Sequence, residues 1–223
     1  MPPFKRHSLL LVCALACSFV TARATALSCP ADSTVMQHYP LQANDISPLL
    51  IGEHIPAATL PGTDGIMVDL DTRITRKPTI LIIYRGGWCP FCNKELGAIQ
   101  ELQGYLAGLG YQIIAISTDS PEKLSKSMDK QHLTYTLLSD ADLDFSKRLG
   151  LAYKAPAAYD KILQDGSGGK NTDKLIPVPS VFILDQDGVI RFEYINPDFT
   201  QRIHPGLLKA AAVTAKEDRT IKK

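Results

Sequence analysis

The sequence has little of several things that would assign it to a class at once. Its 223 residues carry 24 Lys and Arg against 23 Asp and Glu, so the formal net charge is only +1. Without an excess of one sign, the sequence gives no indication of binding to nucleic acid or to an acidic membrane surface. It has a single tryptophan and only five cysteines, an odd number that cannot all pair with one another. The chemistry must therefore come from a few residues.

The amino-terminal segment has the layout of a secretory signal. A charged start precedes an apolar run over 9–20, and small residues end at Ala26. The run is too short and wrongly flanked for a stable membrane span. We predict a signal peptide over 1–26, cleaved near Ala26, and hence export to the periplasm or the extracellular space. Lipoprotein anchoring at Cys17 is less favoured, because the usual leucine three residues before the cysteine is absent.

Three cysteines remain after such a cleavage. Cys29 lies almost at the predicted mature amino terminus, where we expect a passive or intermolecular role. Cys89 and Cys92 are separated by two residues and follow an unbroken β-branched and aromatic run over 79–84, which predicts a buried strand. We therefore place the chemistry at this pair.

The spacing of the pair predicts a redox couple. Cys89 is expected at the N-cap of a helix and Pro90 at its first position, where a missing N–H costs nothing. Cys92 follows on the same helical face, so the two sulfurs can form a disulfide with little backbone movement. The helix dipole favours an anion at Cys89, the expected nucleophile, and Cys92 is the expected resolving thiol. Arg85 either adds positive charge here or faces solvent.

The rest of the chain alternates between strand and helix patterns. Two short strands at 57–60 and 66–70 predict an amino-terminal β-hairpin added to the main sheet. After the central strand, helix, strand and helix follow one another, which is typical of a parallel α/β sheet. The pattern is lost over 153–176, where we predict a loop insertion. The division of the chain is a signal peptide (1–26), an extended amino-terminal segment (27–50), one domain (51–215) and a charged tail (216–223).

Two motifs carry a resemblance to a known family. Trp88-Cys89-Pro90-Phe91-Cys92 after a buried strand, and Val178-Pro179-Ser180 at the start of a later one, resemble the thioredoxin superfamily. Within it, residues 52–212 are most similar to the peroxiredoxin-like branch of the alkyl hydroperoxide reductase and thiol-specific antioxidant family.

The resemblance implies a fold and a set of supporting residues. The fold is the α/β thioredoxin fold, a central mixed sheet flanked by helices, here with the hairpin extension. Pro179 would be cis and, with Val178, would shape the groove in which a partner's extended chain docks. Trp88 would form a rim beside the thiolate, and Arg85 and Pro90 would support the site.

The sequence departs from true peroxiredoxins at three positions. Relative to Cys89, Ile82 stands where they have a proline, Gly86 where they have a threonine or serine, and Pro179 where they have an arginine. The hydroxyl and guanidinium that would bind a peroxide are therefore missing from their usual places, although Arg85 is a candidate substitute.

Three functions remain open. The leading hypothesis is an extracytoplasmic thiol–disulfide oxidoreductase with an antioxidant or redox maintenance role, in which Cys89 attacks a disulfide of a protein or small molecule and Cys92 resolves it. The first alternative is a thiol peroxidase, with Cys89 peroxidatic, Cys92 resolving and a thiol protein as reductant. The second is a copper-binding chaperone, with His204 as the only downstream candidate for a third ligand. A purely structural disulfide between Cys89 and Cys92 is less favoured than these three functions, because closing so small a loop adds little stability. We predict no cofactor, no resident metal and no nucleic-acid partner.

Overall fold

The structure is a computed structural model that describes residues 39–221. The predicted signal peptide (1–26), the lipoprotein alternative at Cys17 and the thiol of Cys29 lie outside the described residues and stay predictions. The strands are β1 (Thr59–Pro61), β2 (Met67–Asp69), β3 (Thr79–Tyr84), β4 (Gln112–Ser117), β5 (Thr136–Ser139), β6 (Ala152–Lys154), β7 (Leu175–Pro177), β8 (Ser180–Leu184) and β9 (Ile190–Ile195). The α-helices are α1 (Leu70–Arg76), α2 (Pro90–Gly108), α3 (Pro121–Gln131), α4 (Asp144–Arg148), α5 (Asp160–Ser167) and α6 (Pro205–Ile221).

The main sheet is mixed and has five strands in the order β5-β4-β3-β8-β9. Strands β4 and β5 run parallel to β3, and β8 and β9 complete the sheet as an antiparallel pair. The parallel half follows from the right-handed crossovers through α2 and α3. The thioredoxin-like α/β fold expected from the resemblance is therefore present.

Strand β3 is central and is buried on both faces. Ile80, Ile82 and Tyr84 point to one side, where they pack with α2, α3 and α6. Leu81 and Ile83 point to the other side, where they pack with α1 and α4. Because successive strand residues alternate between faces, an unbroken apolar run is what a strand covered by helices on both sides requires.

Helix α2 carries the cysteine motif. Cys89 is its N-cap, with extended backbone at φ −88° and ψ 117°, and Pro90 is its first residue. The first intrahelical bond runs from Asn93 N–H to the Cys89 carbonyl at 3.0 Å. The predicted start of the helix is confirmed. Within residues 39–221 no helix is both long and apolar enough to cross a membrane.

The amino-terminal hairpin forms, but it is not added to the main sheet. Strands β1 and β2 pair only with each other, and an isolated bridge from Gly62 to Leu138 is the link to the edge strand β5. The second strand also ends earlier than predicted, because Leu70 begins a helix. Asp69 is the N-cap of that helix, with its Oδ1 accepting the Thr72 N–H at 2.7 Å.

The predicted loop insertion and the predicted charged tail both contain regular secondary structure. The loop insertion over 153–176 contains most of β6, a 3₁₀ turn at Ala157–Tyr159, helix α5 and the start of β7. Its low periodicity reflects short elements that pair locally, since β6 and β7 form a separate two-stranded sheet. The predicted charged tail (216–223) begins within α6, which continues to Ile221.

The expectation of a cis proline at Pro179 is wrong. The described residues contain no cis peptide bond. The chain runs extended from β7 into β8, and the Val178 N–H donates to the Leu151 carbonyl at 3.0 Å.

Asp140 stabilises the turn into α4 and generates a stability prediction. Its buried carboxylate accepts the N–H groups of Phe145 at 3.0 Å and Ser146 at 2.8 Å and the Ser146 hydroxyl at 2.6 Å. Asp140→Ala should lower the free energy of unfolding by about 2–3 kcal/mol, because buried donors lose their acceptor. Urea denaturation measures the change. Asp144→Ala, which removes only the exposed ion pair to Arg148, should leave the midpoint nearly unchanged, and equal losses in both variants would contradict the assignment.

Candidate active site

A five-residue turn (85–89) between β3 and α2 shapes the site. Gly86 has φ +142°, and a Cβ there would lie 2.4 Å from Trp88 Nε1, so glycine is required. The Gly87 N–H donates to the buried carboxylate of Asp119 at 2.6 Å, and the Asn93 side-chain amide donates to the Gly87 carbonyl at 2.9 Å. Burial raises the pKa of Asp119 to about 6. The turn is thus held from β4 on one side and from α2 on the other.

Both sulfurs are reduced and buried. Cys89 is 1% exposed and Cys92 is 0% exposed, and both belong to the core on the α2 side of the sheet. The two thiols lie across the first turn of the helix, where the Cys92 thiol acts on Cys89 as a hydrogen-bond donor that lowers the pKa of Cys89. This geometry is the one the spacing predicts.

The two thiols differ strongly in acidity. The hydrogen bond from Cys92 lowers the pKa of Cys89 to about 5 against the opposing effect of burial, with further help from the Cys92 N–H and from Arg85 and Arg202. Burial, together with the bond to Cys89 and its negative charge, holds the pKa of Cys92 well above its usual range. Because the pKa of Cys89 lies below neutrality, this residue is mostly thiolate at neutral pH. Cys89 is therefore the nucleophile and Cys92 the protonated partner.

Arg85 lies buried against three aromatic rings. Its guanidinium carbon is 5.0 Å from the Trp88 ring centroid, 4.8 Å from that of Tyr159 and 4.1 Å from that of Phe199. The residue is 2% exposed and its Nε has no hydrogen-bond partner. Within residues 39–221 no carboxylate forms an ion pair with it. A buried cation without a counter-ion is costly, so the cation–π contacts and the nearby Cys89 thiolate are its compensation.

A second arginine reaches the other sulfur. Arg202 donates from Nη2 to Cys92 Sγ at 3.3 Å, and its Nε lies 3.1 Å from Glu95 Oε2 as an ion pair whose N–H is not aligned for a hydrogen bond. The side chains of Arg202 and Glu95 are 11% and 4% exposed. Burial raises the pKa of Glu95 to about 7, although the charge of Arg202 opposes that shift.

The structure brings together most of the predicted site residues. Cys89, Cys92, Arg85 and Trp88 are neighbours, and the solvent-facing alternative for Arg85 is wrong. Pro90 is exposed at the first helical position and forms no part of the enclosed site. Val178 and Pro179 are buried, and the docking groove expected there stays a prediction.

Sequence reasoning missed three contributors. Arg202 and Phe199 lie in an irregular segment before α6, and Tyr159 lies in the region predicted as a loop. None of them has a fixed spacing to the cysteines, so no local pattern signals their role. A further contributor, Glu95, does have a fixed spacing to the cysteines, since it stands three residues after Cys92 and hence on the same face of α2.

The described residues provide no set of ligands for the copper-binding alternative. Among residues 39–221 no three His, Cys, Asp or Glu side chains are grouped so that they would hold a metal ion. His204 Nδ1 instead accepts the Gly206 N–H at 3.1 Å, at the start of α6.

The hydrogen bond between the thiols generates a prediction about acidity. Cys92→Ala should raise the pKa of Cys89 by about one unit or more, because the main stabiliser of the thiolate is lost. Cys92→Ser keeps a hydroxyl donor and should raise it less. Ultraviolet thiolate absorbance as a function of pH measures both values, after subtraction of the same variant carrying Cys89→Ser. Equal shifts in the two variants would show that burial and the arginines, and not this bond, set the acidity.

Comparison with known proteins identifies the family of the chain. The AhpC/TSA family model matches residues 51–193. A putative peroxiredoxin of Mycobacterium tuberculosis (strain H37Rv) is 33% identical over 152 residues, which cover 68% of this chain and 88% of that protein. The peroxiredoxin Bcp of Escherichia coli (strain K12) is 29% identical over 159 residues, covering 71% of this chain and 92% of that protein.

The solved structures are similar at the level of the fold. The crystal structure of peroxidoxin BcpB from Mycobacterium tuberculosis matches with a TM-score of 0.60 and 21% identity, covering 75% of this chain and 96% of that one. At this identity the likeness shows the fold alone. The family model and the sequence relatives carry the assignment further. The chain belongs to the AhpC/TSA family and is a thiol-based oxidoreductase of its peroxiredoxin-like branch.

Proposed function

We propose that the protein is a thiol peroxidase in which Cys89 reduces a peroxide and Cys92 resolves the product. The observation that carries the proposal is the buried Cys89 thiolate beside the guanidinium of Arg85, which has no carboxylate partner within residues 39–221. The sequence relatives named as peroxiredoxins support this reading over disulfide exchange, which the sequence alone ranked first.

The proposed chemistry needs a nucleophile and a group that stabilises the leaving oxygen. The Cys89 thiolate attacks one peroxide oxygen, the O–O bond breaks, and the departing alkoxide or hydroxide takes a proton to leave as alcohol or water. The arginine N–H groups are donors for the developing negative charge on that oxygen. Arg85 would take the place of the hydroxyl and guanidinium that this sequence lacks at Gly86 and Pro179.

Burial of the sulfurs favours a small substrate. Cys89 is 1% exposed, and the rings of Trp88, Tyr159 and Phe199 surround the adjoining Arg85. A peroxide can enter such a site after a small side-chain movement. A protein disulfide needs a larger opening, because its backbone must approach the attacking sulfur in line.

Disulfide exchange is the second candidate, and one observation favours it. The two-residue spacing across the helix start gives a dithiol that can accept or donate a disulfide with no further residue. The peroxidase also needs this exchange to be re-reduced, so we propose a thiol protein or small thiol as its reductant. The two candidates differ in whether a peroxide or a disulfide is the primary oxidant.

Stopped-flow fluorescence of Trp88 separates them. The reduced protein should react with hydrogen peroxide more than about a hundred times faster than a small free thiol, and Cys89→Ser should give no signal. Arg85→Met should lower the rate constant by about a hundredfold, since a donor to the leaving oxygen is lost. Arg85→Lys keeps the charge and should retain part of the rate.

The control for these variants is Arg191→Met, which removes an arginine paired with Asp185 in the β8–β9 turn region, outside the site. Its rate should equal that of the natural protein. A natural rate no better than that of a small thiol, with fast reduction of an added disulfide, would reject the peroxidase and leave disulfide exchange.

We also propose that the protein acts outside the cytosol. The support is the charged start, apolar run and small residues of segment 1–26. Expression of the full chain in a bacterium with a periplasm should yield a mature protein that begins at Leu27, as amino-terminal sequencing determines. Leu10→Arg within the apolar run should block processing. An unprocessed cytosolic product, or a lipid on Cys17, would contradict this proposal.

A further inference from the structure

The segment between β9 and α6 places an arginine on the resolving cysteine. Asp198 Oδ1 accepts the N–H of Thr200 at 3.0 Å, and the Gln201 N–H donates to the Asp198 carbonyl at 3.0 Å, so the segment is a formed turn. Ile203 is buried in the core next to it. Arg202 is thus held between the turn and the core, with its side chain directed toward the first turn of α2.

The guanidinium of Arg202 is fixed by three neighbours. Nη1 donates to the Gln201 carbonyl at 3.1 Å, Nη2 donates to Cys92 Sγ at 3.3 Å, and Nε is 3.1 Å from Glu95 Oε2. The side chain is only 11% exposed. A group held this firmly and this far from water interacts with the sulfur more strongly than a surface charge would.

The reaction changes what this contact does. In the reduced protein the negative charge is on Cys89, and Cys92 is the protonated donor. Once Cys89 becomes a sulfenic acid or a mixed disulfide, its negative charge is gone and Cys92 must attack as a thiolate. The cation that contacts the Cys92 sulfur at that moment is Arg202.

We propose that Arg202 is a catalytic residue of the resolving step, where its guanidinium stabilises the Cys92 thiolate, and that Glu95 is a positioning residue that limits how much of this charge reaches the sulfur. The proposal rests on the dithiol chemistry of the proposed function but holds for either primary oxidant, because both end with attack by Cys92. It assigns one arginine to each sulfur.

The step balances in atoms and charge. Cys92 loses its thiol proton, its sulfur bonds to the sulfur of Cys89, and the bond from that sulfur to its hydroxyl oxygen breaks. The departing hydroxide takes up a proton and leaves as water. The sum of both steps is one dithiol and one hydroperoxide giving one disulfide, one alcohol and one water, with the peroxide as the oxidant.

Other ionisable groups face Arg202, Cys92 and Glu95, and none of these groups is changed in the variants below. Tyr84 and Tyr135 lie near Cys92 and Glu95, and their pKa values are raised mainly by burial, so both are neutral at neutral pH. The exposed carboxylate of Asp198 also feels the charge of Arg202. None of these groups contacts the Cys92 sulfur as Arg202 does.

The first measurement is the pKa of Cys92 in a Cys89→Ser background, which copies a site where residue 89 is uncharged. Thiolate absorbance of the full chain is followed against pH, and the Cys89→Ser/Cys92→Ser protein is subtracted. Adding Arg202→Met should raise the pKa of Cys92 by about one unit or more, because the contacting cation is lost. Adding Arg202→Lys should raise it less.

Glu95→Gln supplies the test that a merely structural role would fail. It removes the counter-charge while keeping the shape, so more of the charge of Arg202 acts on the sulfur and the pKa of Cys92 should fall. A role in packing alone predicts shifts of the same sign for Arg202→Met and Glu95→Gln. Shifts of opposite sign support the proposal, and shifts of the same sign, or none, overturn it.

The second measurement follows the resolving step itself. After a single addition of peroxide, the Cys89 sulfenic acid is trapped with dimedone at increasing times and counted by mass spectrometry. Arg202→Met should prolong its lifetime about tenfold or more at neutral pH. Arg191→Met, which breaks the remote ion pair to Asp185, should leave the lifetime unchanged. An unchanged lifetime in Arg202→Met would overturn the proposal.

The two measurements also separate this proposal from the proposed function. The titration of Cys92 uses no peroxide, so it tests Arg202 even if hydrogen peroxide proves a poor oxidant. In that case a small disulfide replaces the peroxide in the second experiment, and the lifetime of the mixed disulfide on Cys89 is the quantity compared.

Discussion

The hydrogen bond from the Cys92 thiol to the Cys89 thiolate is the interaction on which the site depends. It forms because only five residues (85–89) separate a buried strand from a helix whose first residue is Pro90, so both sulfurs lie in one turn. The strand sets how deeply the two sulfurs are buried, and the helix sets the distance between them. A charge kept this deep requires compensation, which the two arginines supply, and the cation–π contacts of Arg85 in turn stabilise that buried cation.

The part of the structure that the sequence predicts is the part built from local patterns. The β-branched run over 79–84 predicts a strand covered on both faces, and the Cys89-Pro90 start of α2 follows from capping and the fixed φ of proline. Periodicity also predicts the order of β4, α3 and the β8–β9 hairpin. These features depend on residues close in sequence, so spacing carries the information.

The remainder depends on contacts between residues far apart in the chain. Arg85 looks like an exposed residue at a strand exit until Tyr159 and Phe199, which lie 74 and 114 positions further on, are placed over it. The region over 153–176 was expected to be a loop because its elements are short and its small sheet closes on itself. The trans bond at Pro179 is a further limit, since the cis form was inherited from a resemblance and not from the residues.

The placement of one guanidinium at each sulfur has a consequence for the order of the steps. Negative charge begins on Cys89, where Arg85 acts on it, and oxidation of that sulfur removes the charge. The next anion must form on Cys92, which is buried and costly to ionise while Cys89 is charged. Arg202, which assists Cys89 only from a distance in the reduced protein, therefore has its main role after the first step. An uncharged substrate suits this arrangement, because it enters without changing the balance of charge until the O–O or S–S bond breaks.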